Sequence, residues 1–516
     1  MQRVIVASLA LLSIIVALVR LEAATEGLSI QASRVGTTPV TVFRRAGAGA
    51  TPLIVLAHGF AGSQQFMQPF AVTLAQNGYT AVTFDFPGHG RNPDPLPGGL
   101  SNAEERTRAL EEALDSVVTW GRGLPGVDGS VALLGHSMAS AVVVRYAREH
   151  PDIAATVAVS LFFSGEGTDL PRNLLIIDGA LEPALLRKAA LDLVKPTQGP
   201  SAAGGITYGS FSSGSARRAV FAPDVEHIGV LYSPASMREA LAWMNETFQR
   251  EGNGAIDSRG PWLALLFAGL LGAAYALAGL LPRLCPVHEA PRLRGREFLA
   301  LALGPALATP LILWKIPTNF LPILLSDYLF VHFALYGVLT WIGLAWLGVL
   351  PRMPPWRTPG SRPLLAWVLS CLVVVAYAVF ALGIPVDRYV TNLVPIEERQ
   401  PYIGIMLLAT LAYFSADEWL TRGLAAPRLA TIATRCSFLL GLGLAIALNL
   451  PRLFFLVIIV PVILVLFIAY GLLSRWTTRQ TGHPLAAALA NALAFAWAIT
   501  VVFPLVVRSL EPTSRP

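Results

Sequence analysis

Charge is what this chain is short of. Only 14% of its 516 residues are Asp, Glu, Lys or Arg, against 54% hydrophobic, and the mean hydropathy is +0.58. A chain this poor in charge reads as a membrane protein rather than a soluble one. Cysteine is nearly missing too. The three present, Cys285, Cys371 and Cys436, all lie beyond residue 260, so the stretch 25–255 can hold neither a disulfide nor a thiolate metal site. No metal-ligand spacing, Walker loop or dinucleotide fingerprint occurs, and no cofactor is implied. The net charge of +6 comes mostly from arginines in short loops, which explains it by membrane orientation and not by nucleic-acid binding.

The hydrophobicity that is present is uneven. Residues 25–255 have globular alternation and ordinary charge, whereas residue 260 onward is a series of long apolar runs separated by Arg/Pro loops, with the boundary near Glu251–Asp257. An apolar run from Val4 to Val19 follows Arg3 and is long enough for a signal-peptide core or a signal anchor. Ala23-Ala24 is a weak cleavage site, so an uncleaved anchor over 1–24 is favoured. Eight further spans are expected at about 261–281, 297–315, 321–350, 364–385, 401–417, 436–449, 453–473 and 485–507. Alternate loops are arginine-rich: Arg283, Arg292, Arg294 and Arg296; Arg352, Arg357 and Arg362; Arg422, Arg428 and Arg435; Arg475 and Arg479. The opposite loops are poor, with Lys315, then Arg388 and Arg399 beside acids, then Arg452, then Arg508 and Arg515. The rich set should be cytoplasmic, which puts residues 20–260 outside the cell (inner) membrane. The expected organisation is an anchor at 1–24, a globular domain at 25–255 and a polytopic domain at 256–516.

Within 25–255, continuous apolar runs at 52–58, 79–85, 131–136, 153–163, 174–177 and 219–222 read as buried parallel strands, and helical spacing separates them. That predicts an α/β class, a doubly wound sheet with helices on both faces. One strand runs into Gly135-His136-Ser137-Met138-Ala139 and then a helix pattern, as in a nucleophile elbow: small residues permit the tight reversal, and the serine hydroxyl is thrust clear of the backbone. A serine needs a base within hydrogen-bond reach, and the base needs an acid to fix its tautomer. Of His58, His89, His136, His150 and His227, only His227 follows the last strand.

Five separated motifs, HGFAGS, DFPGHG, GHSMA, LLIIDGALEP and PDVEHIGVLYSP, resemble in order those of the α/β-hydrolase fold family over residues 50–248. The resemblance implies a serine esterase-like hydrolase with Ser137 as nucleophile, His227 as base and Glu182 as acid, Asp178 being the competing acid and Asp224 and Glu226 loop charges. It also implies an oxyanion hole from the backbone N–H groups of Met138 and Phe60. The expected reaction is hydrolysis of a carboxylic ester or thioester of small-acyl or lipid-like character. Acyl transfer at the same site, or a transporter or scaffold with a ligand-binding domain, are the alternatives. About ten residues between Ser164 and Leu174 leave no room for a helical lid, and 200–216 is either a rim or a hairpin. The expected partners are an acyl ester or lipid and the bilayer, with no nucleic acid; the oligomeric state is left open.

In the membrane half, Asp417-Glu418-Trp-Leu-Thr-Arg422 and TGHPLAAALANALAFAW weakly resemble a degenerate CAAX-protease-like intramembrane family. Asn449 and Asn491 stand where that family's two functional histidines are expected. A charge cluster at a helix end is the structural alternative. Asp327 and His332 are further intramembrane candidates.

Overall fold

The computed structural model describes residues 1–99, 102–161, 171–195, 202–285, 289–350, 361–423, 426 and 429–507, without the side chains of 361–364. The expected lidless connection at 164–174 falls largely on residues 162–170, outside the described residues, as do Arg352, Arg357, Arg428, Arg508 and Arg515 among the loop arginines. The chain divides into two compact units. One comprises Ala17–Ala264, Val386–Ile396 and Val502–Pro516; the other comprises Met1–Val16, Leu265–Pro385 and Glu397–Val501.

The first unit is built on a nine-stranded sheet. Its strands are β1 (Leu28–Val35), β2 (Thr38–Arg45), β3 (Thr51–Ala57), β4 (Thr80–Phe84), β5 (Val127–His136), β6 (Ile153–Val159), β7 (Leu174–Gly179), β8 (Thr207–Tyr208) and β9 (Arg217–Ala222), in the spatial order β1-β2-β4-β3-β5-β6-β7-β9-β8. Strands β4, β3, β5, β6, β7 and β9 run parallel. These are the six apolar runs, because a strand covered on both faces has no polar side to show. The sheet is not wholly parallel, however: β1–β2, β2–β4 and β8–β9 pair antiparallel. Strand β1 is mostly exposed and polar, so its sequence lacks the apolar run that betrays the central strands. The stretch 200–216, left open between rim and hairpin, carries β8 in an antiparallel pair with β9.

Helix α1 (Gln2–Ala23) leads into this unit, followed by α2 (Gln68–Gln76), α3 (Ala103–Arg122), α4 (Met138–Glu149), α5 (Ala184–Val194) and α6 (Pro234–Phe248). The period of two sorts the strand residues between two layers. Leu53, Val55 and Ala57 of β3 and Val131 and Leu133 of β5 pack with residues of α3 and α4, whereas Ile54, Leu56, Ala132 and Leu134 pack with α2 and α6. Each fully buried aliphatic side chain contributes about 1.5–3 kcal/mol, and a one-residue slip would exchange the two layers. Local signals fix the helix starts. Asn102 accepts from the Glu105 N–H at 3.1 Å at the head of α3, and Ser233 with Pro234 opens α6. The stretch after α6 stays on this unit, with Asn77 donating to Ala255 O at 2.8 Å and buried Arg259 paired with Asp257.

The second unit is helical. Among the described residues nine helices are long and apolar enough to cross a membrane: Gln2–Ala23, Gly260–Ala278, Gly295–Leu313, Ser326–Trp346, Leu365–Tyr389, Glu397–Thr421, Ala430–Leu448, Leu456–Thr481 and Leu485–Val502. Two expectations need correction. The third of the eight later helices starts at Ser326 rather than near 321, where Leu325 takes a left-handed conformation (φ 65°). Arg435, read as a loop arginine, lies inside Ala430–Leu448 and is buried beside Asp417 and Glu418. Its charge is neutralised by acids, so it carries no weight as a topology signal. Arg422 is likewise paired with Glu418 at 2.9 Å, and Arg475 and Arg479 fall in the last turns of Leu456–Thr481.

Candidate active site

Strand β5 ends at His136 and α4 starts at Met138, so a single residue makes the reversal. That residue is Ser137, held at φ 53° and ψ −116°, a conformation costing on the order of 1–3 kcal/mol that surrounding structure must impose. Neighbours impose it. Ser137 N–H donates to Val159 O of β6 at 2.9 Å, and Ser137 O accepts from the N–H and hydroxyl of Ser140 at 2.9 and 2.5 Å. A Cβ on Gly135 would lie 2.5 Å from Ala139 O, which is why the strand can meet the helix only through glycine.

Two loops bring partners to Ser137. Ala180 and Leu181, just past β7, donate to the carbonyl oxygens of Ala222, the last residue of β9, and of Val225 beyond it, at 2.8 and 3.0 Å. The β7–α5 turn carrying Glu182 is thereby zipped to the loop carrying His227. His227 Nε2 lies 2.8 Å from Ser137 Oγ, and His227 Nδ1 lies 3.0 Å from Glu182 Oε1. The carboxylate can only accept, so Nδ1 carries the proton and Nε2 is left to accept from the serine hydroxyl. Ser137 and Glu182 are buried, and His227 is half-buried.

Asp178, the competing acid, is the penultimate residue of β7 and points elsewhere: its Oδ1 accepts from Leu161 N–H at 3.1 Å. Burial, and after it the nearby Glu182 carboxylate, push its pKa up to about 7. Glu226 accepts from the N–H groups of Ile228 and Gly229, both at 2.8 Å, and so shapes the turn after His227. The remaining histidines have structural partners. His150 stacks on Tyr146 with ring centroids 3.8 Å apart. His58 accepts from Phe86 N–H at Nε2 (3.1 Å) and donates from Nδ1 to Gly59 O (2.8 Å), and burial lowers its pKa. His136 donates from Nε2 to His227 O at 2.9 Å, fixing the backbone at His227. Burial, followed by the proximity of His227, lowers its pKa to about 3.

Two amides are the candidates for an oxyanion hole. Met138 N–H opens α4, where the first turn has no intrahelical acceptor and the helix dipole favours negative charge. Phe60 follows Gly59, whose missing Cβ would stand 2.9 Å from Ser137 Cβ. Sequence reasoning missed Ser160. Its hydroxyl donates to Glu182 Oε1 at 2.5 Å, and its position just past β6 was the available signal, because sites in open α/β sheets gather at the carboxyl ends of strands. Among the described residues no His/Cys/Asp/Glu group could hold a metal ion.

In the helical unit, Glu418 accepts from Asn491 at 3.2 Å, Arg435 at 3.1 Å and Arg422 at 2.9 Å, and also from Ser474. Asp417 accepts from Thr434 at 2.5 Å. Asn491 therefore joins the acids, but Asn449 does not. It caps the far end of Ala430–Leu448, fourteen residues, or about 20 Å, along the helix from Arg435. Asp417 and Glu418 thus form a buried ion-pair cluster with Arg422 and Arg435. Asp327 accepts from Tyr328 N–H at 2.8 Å, while His332 is buried against Phe438 and Tyr328. An apolar cavity of about 440 Å³ in this unit, lined by residues such as Leu277, Leu369, Val373 and Leu473, contains no carboxylate, histidine or lysine.

Comparison with known proteins finds likenesses to part of the chain. Residues 49–197 match the family described as serine aminopeptidase, S33. A Mycobacterium tuberculosis protein named as a hydrolase, LipZ, is 28% identical over 214 residues, which are 41% of this chain and 62% of that protein. The chain thus spans about three fifths of that relative's length. A 31.7 kDa Escherichia coli protein from the traX-finO intergenic region is 29% identical over 117 residues, covering 22% of this chain and 39% of its own. Among solved structures, a CIB-like hydrolase from Thermoplasma acidophilum matches with a TM-score of 0.32 at 16% identity, covering 42% of this chain and 99% of that one. The strand order and the family match together support an α/β-hydrolase fold for the matched part of the chain.

Proposed function

We propose that the protein is a membrane-anchored serine hydrolase acting on carboxylic esters or thioesters. The observation that carries this reading is the continuous relay Ser137 Oγ, His227 Nε2, His227 Nδ1, Glu182 Oε1, with steps of 2.8 and 3.0 Å. Ser137 attacks the acyl carbonyl while His227 takes its proton, and the negative charge on the carbonyl oxygen is met by the N–H groups of Met138 and Phe60. Collapse of the tetrahedral species expels the alcohol or thiol, which receives the proton from His227. The same histidine then activates water against the acyl-enzyme. Glu182 holds the imidazole in its tautomer and stabilises it while charged. The long apolar helices support anchoring in a membrane, and the arginine-rich loops support a hydrolase domain on its extracytoplasmic side.

The test is fluorophosphonate labelling of wild type beside Ser137→Ala, followed by turnover of p-nitrophenyl esters of graded acyl length with and without an alcohol acceptor. Labelling of wild type alone is the expected result; equal labelling of both, or of neither, rejects the assignment. An alkyl ester product would move the reading to acyl transfer.

A further inference from the structure

The loop that would supply half of the oxyanion hole, His58–Ser63, is held in place by two pieces of chain that lie more than 100 residues beyond the hydrolase sequence. The first is Val502–Val507. Leu505 N–H donates to Gly88 O at 2.8 Å, Leu96 N–H donates to Leu505 O at 2.8 Å, and Val507 N–H donates to Leu96 O at 3.1 Å. The segment thus pairs in parallel with the turn after β4. This pairing sets the buried ring of Phe503 edge-on against Phe60, with centroids 6.5 Å apart. Phe60 also meets His89, with ring centroids 6.2 Å apart. The second piece is Val386–Ile396. Asn392 N–H donates to the buried Ser63 hydroxyl at 2.9 Å, and Thr391 Oγ1 lies 3.1 Å from the same oxygen. Arg91 reaches Asp387 at 2.7 Å and Asn392 at 3.0 Å.

We propose that these two segments complete the acyl-transfer site: Phe503 and the Thr391–Asn392 pair are positioning residues that fix the Phe60 amide above Ser137. The inference rests on the serine-hydrolase reading. Its physical basis is that an oxyanion donor works only if held where the charge develops, and about 1 Å of misplacement can cost about 100-fold in rate. Phe60 lies in a short loop containing Gly59 and Gly62, and Ala61 has φ 53°; such a loop needs outside support. The two flanking contacts, an aromatic ring at residue 60 and a hydroxyl at residue 63, supply it. Both pieces of chain adjoin long apolar helices in sequence, yet they belong to the same compact unit as the sheet.

The experiment uses the full-length protein in detergent and compares wild type, Phe503→Ala, Phe503→Leu and Ser63→Ala in p-nitrophenyl ester turnover, fluorophosphonate labelling rate and thermal unfolding. Phe503→Ala should lower kcat about 10- to 100-fold with KM changed less than about threefold, Phe503→Leu should recover most of the loss, and Ser63→Ala should lower kcat independently. If Phe503→Ala fails to fold, Ser63→Ala decides. Wild-type kcat in folded Phe503→Ala or Ser63→Ala, or a loss carried by KM alone, overturns the proposal while leaving the nucleophile assignment standing. A wild type that is unlabelled at Ser137 overturns both.

Discussion

Ser160 donates a 2.5 Å hydrogen bond to Glu182 Oε1, the same oxygen that faces His227 Nδ1 at 3.0 Å. Ser160 is itself fixed by a 2.7 Å bond from its N–H to Ile177 O and takes φ 52°. The orientation of the acid is thus set from the end of β6. Ser160→Ala should lower kcat/KM about tenfold, the worth of one hydrogen bond to a charged group. Steady-state kinetics on a p-nitrophenyl ester, with an unchanged far-UV spectrum, is the check.

The two carboxylates past β7 should separate by function. Glu182→Gln removes the acceptor that fixes the base and should cost about 10³- to 10⁴-fold in kcat. Asp178→Asn should stay within about tenfold of wild type. A reversed ranking would make Asp178 the acid.

Asp178 also predicts a pH effect on stability. Its pKa, raised to about 7 by burial and by Glu182, exceeds that of the unfolded chain, near 3.9. Between these values the folded state keeps a proton that the unfolded state releases, so this contribution is full on the acid side and is lost as pH rises through 7. The advantage of Asp178→Asn over wild type in thermal unfolding should therefore be larger at pH 8 than at pH 5.

His136 acts in the opposite direction. Burial, and then His227, hold its pKa at about 3, below an unfolded value near 6.5. The unfolded chain binds the proton first, so stability is fully present above about pH 6.5 and falls as pH drops toward 3. His136→Gln can keep the bond to His227 O and should flatten the acid limb of the melting curve. An unchanged limb would place the acid sensitivity elsewhere.

Glu418 neutralises Arg422 and Arg435 in the helical unit. Glu418→Gln leaves two buried cations short of a counter-charge and should destabilise that unit by about 3–5 kcal/mol, while fluorophosphonate labelling of Ser137 in folded protein persists. Loss of a peptidase activity, without loss of stability, would instead favour catalysis at Glu418.

The central strands were legible because burial on both faces leaves continuous apolar runs such as PLIVLAH, and the elbow was legible because its turn demands small residues at fixed spacing. Edge strand β1 escaped because exposure leaves no such run. Arg435 was misread because a loop arginine and a helix-buried one look alike until an acid is seen beside it.

By itself the sequence determined the α/β class of the first half, the apolar helices of the second, and the order of serine, acids and histidine, since each follows from local periodicity or from position along the chain. Tertiary structure alone decided which carboxylate faces His227, because Glu182 and Asp178 are four residues apart and only the zipped turns select between them. It alone set Thr391 and Asn392 against Ser63 and Phe503 against Phe60. Contacts across more than 300 residues depend on how the sheet and its loops close, and nothing in the neighbouring residues encodes them.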